Sequence, residues 1–172
     1  MQIRATFLVW PVLFALIAAR FAAGQQGPML NHNWATVLPP ESAPSVVRQC
    51  TRLGVPVRIQ GTWQPTEEQI STLERVLAPA LDRGLKTAED ERAHELRVND
   101  YYRQYAGLFV DGRQIIYVNG FHRGFLQDLA RGDTTSWRKK PVNVCDGGEW
   151  FFGAEYDVSS GRIRSLHFNG HA

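Results

Sequence analysis

CDGGEWFFGAEYD, residues 145–157, is the stretch on which the fold turns. A cysteine beside acids and glycines has the composition of a reactive or metal-holding loop. The same letters also spell a tethered cysteine followed by a strand. In an extended chain Trp150, Phe152, Ala154 and Tyr156 share one face, and Phe151, Gly153, Glu155 and Asp157 share the other, because β side chains alternate with a period of two. A turn in VSSG, residues 158–161, sends the chain back through residues 162–169. Leu166 and Phe168 keep one phase while Ile163 falls out of it, which predicts a β-bulge near Arg164. On those grounds the stretch is a strand led by an anchored cysteine.

The pattern extends upstream. Residues 101–110 alternate loosely, Asp111-Gly112 is a two-residue hairpin turn, and QIIYVNGF (114–121) is rich in β-formers. Residues 141–145 are a further candidate strand, and Phe125, Leu126 and Leu129 suggest a short helix before the polar run RGDTTS. VPVRIQ (55–60) alternates weakly, and Pro56 confines it to a sheet edge. The clearest helix signal is a capping box at Thr66 and Gln69, followed by Ile70, Leu73, Leu77 and Leu81 at three- and four-residue steps. The spacing predicts a helix over 66–83, kinked or ended near Pro79 and stopped by Gly84. The charged run 87–99 reads as a shorter, exposed helix. An apolar sheet face needs a cover, and the 66–83 stripe supplies one. The expected fold is therefore α+β: an antiparallel β-sheet of four to six strands, built from hairpins and packed against one main α-helix. It occupies residues 51–172 as a single domain. Residues 25–50, with Pro28, Pro39, Pro40 and Pro44, read as an extended or flexible lead-in with Trp34 docked on the domain.

The first 24 residues read as a signal peptide. Arg4 gives a positive start, residues 5–19 (ATFLVWPVLFALIAA) are apolar throughout, and Ala22 and Gly24 form an A-x-G cleavage pattern before Gln25. A spanning helix needs about 20 apolar residues, whereas this run holds Pro11 and stops at Arg20. The expectation is a periplasmic or secreted protein with no stable membrane insertion after cleavage. Of 19 basic residues, Arg4 and Arg20 leave with the leader, so the mature chain carries 17 basic against 17 acidic residues. A neutral chain has no global field to attract nucleic acid or anionic lipid. In an oxidising compartment the lone cysteine pair, Cys50 and Cys145, is expected to form one disulfide. Closing a loop of about 95 residues constrains the unfolded chain enough to stabilise by about 4–5 kcal/mol in the entropy model.

The hairpin EYDVSSGRIRSLHFNG resembles the YD-x-x-TG-x-I hairpin of PepSY-type exported domains, with Ser160 in place of the usual threonine. TWQPTEEQISTLE, DYYRQYAG and CDGGEWFFGAEYD together look like small secreted proteins of Gram-negative bacteria. That likeness implies export and an α+β fold and brings no catalytic residue with it.

Several constellations carry side chains suited to chemistry. Cys145 as a nucleophile needs an open site and a base such as His122 or His167; an oxidised sulfur is neither nucleophile nor ligand. Cys145, Asp146, Glu149, His167 and His171 include zinc-compatible side chains at spacings unlike the usual motifs. His94-Glu95 starts an H-E-x-x-H motif that Val98 breaks, and Gly161 falls one position early for a calcium loop. Glu149, Glu155 and Asp157 are the candidates for paired acid–base carboxylates, and Glu155 and Asp157 share a strand face about 7 Å apart, a spacing that such pairs use. No catalytic, metal or cofactor-binding residue is assigned, and no cofactor is expected. Tyr101, Arg103, Tyr105, Phe151 and Arg162 are the candidate partner-binding face, on a sheet surface the helix does not cover, for a protein or peptide partner rather than nucleic acid. The expected function is an exported, non-catalytic binding or accessory module, inhibitor-like in character. The alternative is a small secreted hydrolase or metal-dependent enzyme around Cys145, Asp146 and Glu149. Mass measurement on protein recovered from the periplasm of a Gram-negative cell is expected to give a chain starting at Gln25. An intact leader in the membrane fraction refutes cleavage.

Overall fold

The computed structural model describes residues 33–47, 58–128 and 135–171. The segment expected to be a leader, Cys50 and residues 55–57 of the 55–60 stretch lie outside them. Among the described residues six strands form one mixed, largely antiparallel sheet in the order β1-β3-β4-β5-β6, with β2 also paired to β3. The strands are β1 (Ala35–Val37), β2 (Ile59–Trp63), β3 (Tyr101–Val110), β4 (Arg113–His122), β5 (Phe151–Asp157) and β6 (Arg162–Phe168). One long helix, α1 (Glu67–Lys86), and a short one, α2 (Arg123–Asp128), complete the regular elements apart from 3-10 turns. The α+β class holds, with one strand out of the expected direction. β1 runs parallel to β3, with Ala35 opposite Arg103 and Val37 opposite Tyr105. It belongs to the stretch read as a lead-in, so the sheet recruits residues ahead of position 51. Pro39 and Pro40 follow after Leu38 and lack the N–H groups that would extend it.

The centre of the sheet is the β3–β4 hairpin, paired without interruption from Tyr101 opposite His122 to Val110 opposite Arg113. Its turn has Asp111 at φ 48° and Gly112 at φ 73°. Two successive left-handed residues give the turn whose twist matches the strands, and Asp-Gly tolerates it. Ten-residue β3 serves two neighbours on its outer edge: β1 lies along 103–105, and β2 pairs antiparallel along 107–110. Of the edge strand predicted over 55–60, the described part begins at Ile59, and the strand runs on through Trp63. At the other edge, Glu155 faces Ser165 and Tyr156 faces Ile163, so Arg164 is the extra residue of a bulge, as its phase break predicts.

Helix α1 starts as expected. Gln69 N–H donates to Thr66 Oγ1 at 3.3 Å, and Thr66 N–H donates to Gln69 Oε1 at 2.9 Å. It does not stop at Pro79 or Gly84 but reaches Lys86. Pro79 lies on the exposed side, while Ile70, Leu73, Leu77, Leu81 and Leu85 form an unbroken buried stripe. Burying each such side chain contributes about 1.5–3 kcal/mol, so together they outweigh the roughly 3 kcal/mol that an interior proline costs. Gly84 is a packing residue instead of a terminator: an added Cβ would sit 3.2 Å from the Phe168 ring on β6. The run 87–99 is not one helix but two 3-10 turns, Glu91–Glu95 and Val98–Asp100. Short acids cause the break, since Asp90 accepts from Arg92 N–H and Asp100 accepts from Arg97 N–H, offering the backbone local partners that compete with a helix.

The core has two layers. Tyr101, Tyr105, Ile116, Val118, Phe152, Ala154 and Tyr156 pack under α1. On the opposite face, Ala106, Leu108, Val110, Ile115 and Tyr117 pack against Leu38, Ala43 and Val46. Beside them Phe121 and Phe151 pack with Trp137, Phe125 and Leu126. Trp34 docks as expected, its ring 5.2 Å from that of Tyr102. Residues 141–145 form no strand. They are held by two buried amides, Gln104 and Asn119, which stand opposite each other on β3 and β4. Asn119 Nδ2 donates to Gln104 Oε1 and to the Val142 carbonyl, both at 2.8 Å, and Val142 N–H donates to Gln104 Oε1 at 2.9 Å. Gln104 Nε2 donates to the carbonyls of Trp137 and Lys140. No helix among the described residues is long and apolar enough to cross a membrane.

The close approach of β4 and β5 gives a test of this packing. A Cβ on Gly120 would lie 2.0 Å from the ring of Phe152, which is fully buried. Gly120→Ala is expected to destabilise by about 1–3 kcal/mol or more. Gly61→Ala, where the new atom meets only Phe109 at 3.4 Å, is expected to stay within about 1 kcal/mol of the parent. Urea midpoints measure both, and equal midpoints for the two variants contradict the packing described.

Candidate functional site

The candidate partner face is not a face. Tyr101 and Tyr105 are fully buried and Arg103 nearly so, all under α1. Phe151 is buried in the opposite layer, and only Arg162 is exposed. The expectation of an uncovered sheet surface fails because segments without long helices, 39–47 and 135–144, cover the side that α1 leaves open. Arg103 instead clamps the structure. Its Nε donates to Glu74 of α1 at 3.0 Å and to the Tyr105 hydroxyl at 3.2 Å, and its NH1 donates to the carbonyls of Val98 and Tyr101 at 2.8 and 2.7 Å. Tyr105 in turn donates to Glu74. Burial, first of all, pushes the Tyr105 hydroxyl well above its ordinary pKa, so it acts as a neutral donor.

The acids proposed for proton transfer are also committed elsewhere. Asp157 Oδ1 accepts from Ser159 N–H, Ser159 Oγ and Ser160 N–H at 2.9, 2.6 and 3.1 Å. Its other oxygen accepts from Arg113 at 2.9 Å. The Ser159 hydroxyl, then Arg113, hold this carboxyl well below the usual range. Asp157 organises the β5–β6 turn. Glu155 faces Arg164 at 3.9 Å. Of the zinc-compatible set, only Glu149 and His171 come together, at 3.2 Å. His167 lies exposed on β6, and Cys145 and Asp146 are exposed ahead of the glycines. Among the described residues no group of three or more His, Cys, Asp or Glu side chains is placed to hold a metal ion.

The opening stretch does build a site, downstream of its cysteine. Gly147 and Gly148 have φ of 91° and 54°, left-handed values that side chains other than hydrogen adopt at a cost. Space demands glycine too: a Cβ on Gly148 would lie 2.2 Å from His171 Nε2, and one on Gly147 2.6 Å from the Phe151 ring. The double turn delivers Glu149 and Trp150 to the mouth of a cleft of about 400 Å³. Three ties fix it. Tyr101 donates to the Glu149 carbonyl at 2.6 Å, Gly148 N–H donates to Gly170 at 3.1 Å, and Asn169 Nδ2 donates to the carbonyls of Val144 and Asp146 at 2.8 and 3.0 Å.

The opposite wall is the 3-10 turn, which contributes Asp90, Arg92, Ala93 and Leu96, and the end of β4 adds His122. Asp90 and Arg92 are joined by a two-pronged ion pair at 2.9–3.2 Å. His122 lies tilted against Trp150 with ring centroids 4.5 Å apart and meets the edge of Tyr101 at 5.9 Å. Its Nδ1 accepts from Gly124 N–H at 3.2 Å, which assigns the proton of the neutral ring to Nε2. Burial lowers its pKa, favouring that neutral form. The cleft thus combines an aromatic platform, an apolar floor, a neutral donor and a largely buried carboxylate. Among these, the sequence suggests His122 only as a base for Cys145, and Glu149 only as a zinc ligand or acid–base carboxylate of an enzyme around Cys145. It singles out none of Asp90, Arg92, Ala93 or Leu96, which no motif marks. The usable signal is a Glu-Trp pair, Glu149 and Trp150, placed directly after two turn-forming glycines. No protein-family model matches the chain, and no curated protein or solved structure matches it.

Since the folded state depresses the Asp157 pKa, its stabilisation is fully present above the unfolded value and is lost as pH falls through the folded one. Asp157→Asn is therefore expected to lower the urea midpoint most above about pH 5, with the gap to the parent closing below about pH 3. A gap that is constant over that window contradicts the turn-capping role.

Proposed function

We propose that the protein is an exported, non-catalytic binding or accessory module that contacts its ligand at the cleft beneath Trp150. One observation carries this reading: Trp150, 43% exposed, is the only large hydrophobic side chain left open among the described residues, and it stands at the rim of the cleft. A lone exposed tryptophan beside a concavity of this size is characteristic of a contact point, where one large, rigid ring is buried at little entropic cost. The leader-like start and the cysteine pair support export. No free cysteine occurs among the described residues, consistent with a Cys50–Cys145 bridge that ties the segment before the glycines. The alternative, an enzyme around Cys145, Asp146 and Glu149, has less support, because Cys145 and Asp146 do not line the cleft that Glu149 enters.

A photo-crosslinking amino acid placed at position 150, and separately at position 162 on the exposed start of β6, tests the assignment in the native compartment. Adducts are expected at 150 and not at 162. Adducts confined to 162, or absent at both, overturn the cleft as the contact. In the same material Cys145 is expected to resist alkylation until reductant is added, and ready alkylation without it favours the enzyme reading.

A further inference from the structure

Charge bookkeeping within the cleft narrows the ligand. The Asp90 carboxylate is matched by Arg92, whose guanidinium donates through Nε and NH2 and whose backbone N–H donates as well. That wall pairs one negative with one positive charge and is internally neutral. His122 is held towards neutrality, with Nδ1 occupied by Gly124. Asp100, beyond the pocket wall, is paired to Arg123 at 3.0 Å. Glu149 is different. Its side chain is only 10% exposed, and its counter-group is the imidazole of His171, itself 60% exposed and charged only when protonated. The cleft thus holds one largely buried carboxylate with no permanent cation paired to it. Burying a charge without a fixed opposite charge is unfavourable, and an incoming cation relieves it.

The surroundings of Glu149 also suit a cation. The adjacent Trp150 offers a partly exposed indole, the aromatic ring that attracts cations most strongly. Ala93 and Leu96 give an apolar floor along which a methylene stem can lie. An anion would add a second negative charge beside Glu149, with only the already paired Arg92 to receive it. A neutral ligand would leave the carboxylate unmatched. Building on the cleft as the contact site, we infer that it receives an organic cation, an ammonium or guanidinium group on a flexible stem, seated between the Glu149 carboxylate and the Trp150 ring. The group is supplied either by a lysine or arginine side chain of a partner or by a free amine or guanidine.

Calorimetric titration of the purified mature chain tests this with defined probes: N-acetyl-argininamide, a short peptide with one central arginine, and the same peptide with citrulline, a neutral isostere, in its place. The arginine peptide is expected to bind, and the citrulline peptide to bind about tenfold or more weakly. Glu149→Gln and Trp150→Leu are each expected to weaken arginine-peptide binding about tenfold, with Arg162→Gln unchanged. If the amide derivative alone binds as well as the peptide, the source is a free cation; if the peptide is clearly tighter, it is a protein segment. Equal binding of arginine and citrulline peptides, or no binding of any probe, overturns the inference, and the comparison needs no variant to fold. Crosslinks at position 150 with no cation binding defeat the cation alone. Failure of both experiments defeats the cleft itself.

Discussion

Gln104 and Asn119 face each other across the central hairpin with almost no exposure. Two amides in an otherwise apolar layer are costly unless their hydrogen bonds are met, because a buried unsatisfied polar group costs about 1–3 kcal/mol. They are met by each other and by the backbone of the segment around Lys140 to Val142. A chain stretch without regular structure thereby gains a fixed position against a sheet. Trp137 packs with Phe121 and Phe151 beside that anchor, and the second layer follows. Without the amides, nothing regular in residues 139–147 would say where the loop lies.

The cleft depends on that layer and on the first one together. Tyr101 belongs to the layer under α1, yet its hydroxyl reaches the Glu149 carbonyl. Asn169, at the end of β6, holds the carbonyls on the other side of the glycine pair. β6 sits close to α1 because Gly84 leaves a hollow for Phe168. Side chains at the mouth are therefore set by rigid elements rather than by the loop itself, which lowers the ordering cost of binding.

Much of the fold was legible in the sequence, and the parts that were not share a cause. The capping box, the Asp-Gly turn and the phase break at Arg164 are local signals, settled by residues within a few positions, and each found its place. Pro79 and Gly84 misled because their local cost is overruled by a buried stripe and by β6, which is 78 or more residues away from either. Alternation in β3 showed a strand but not which face would be covered, since loops 39–47 and 135–144 have no period to announce that they pack. For the site, Trp150 and Glu149 stood in the quoted stretch. Their neighbours Asp90, Arg92 and His122 come from distant turns, and only the closed sheet brings them near.

β1 pairs with a strand that follows it by about 65 residues, Ala35 lying opposite Arg103. A polypeptide appears at the ribosome, or emerges from a secretion channel, N-terminus first. The Ala-Thr-Val segment and Trp34 must then wait, without their final neighbours, until Tyr101–Val110 has followed. The first part of the sheet to emerge thus has no partner until β3 follows, and throughout that interval the nascent chain carries an unmatched strand that a holding chaperone can grip.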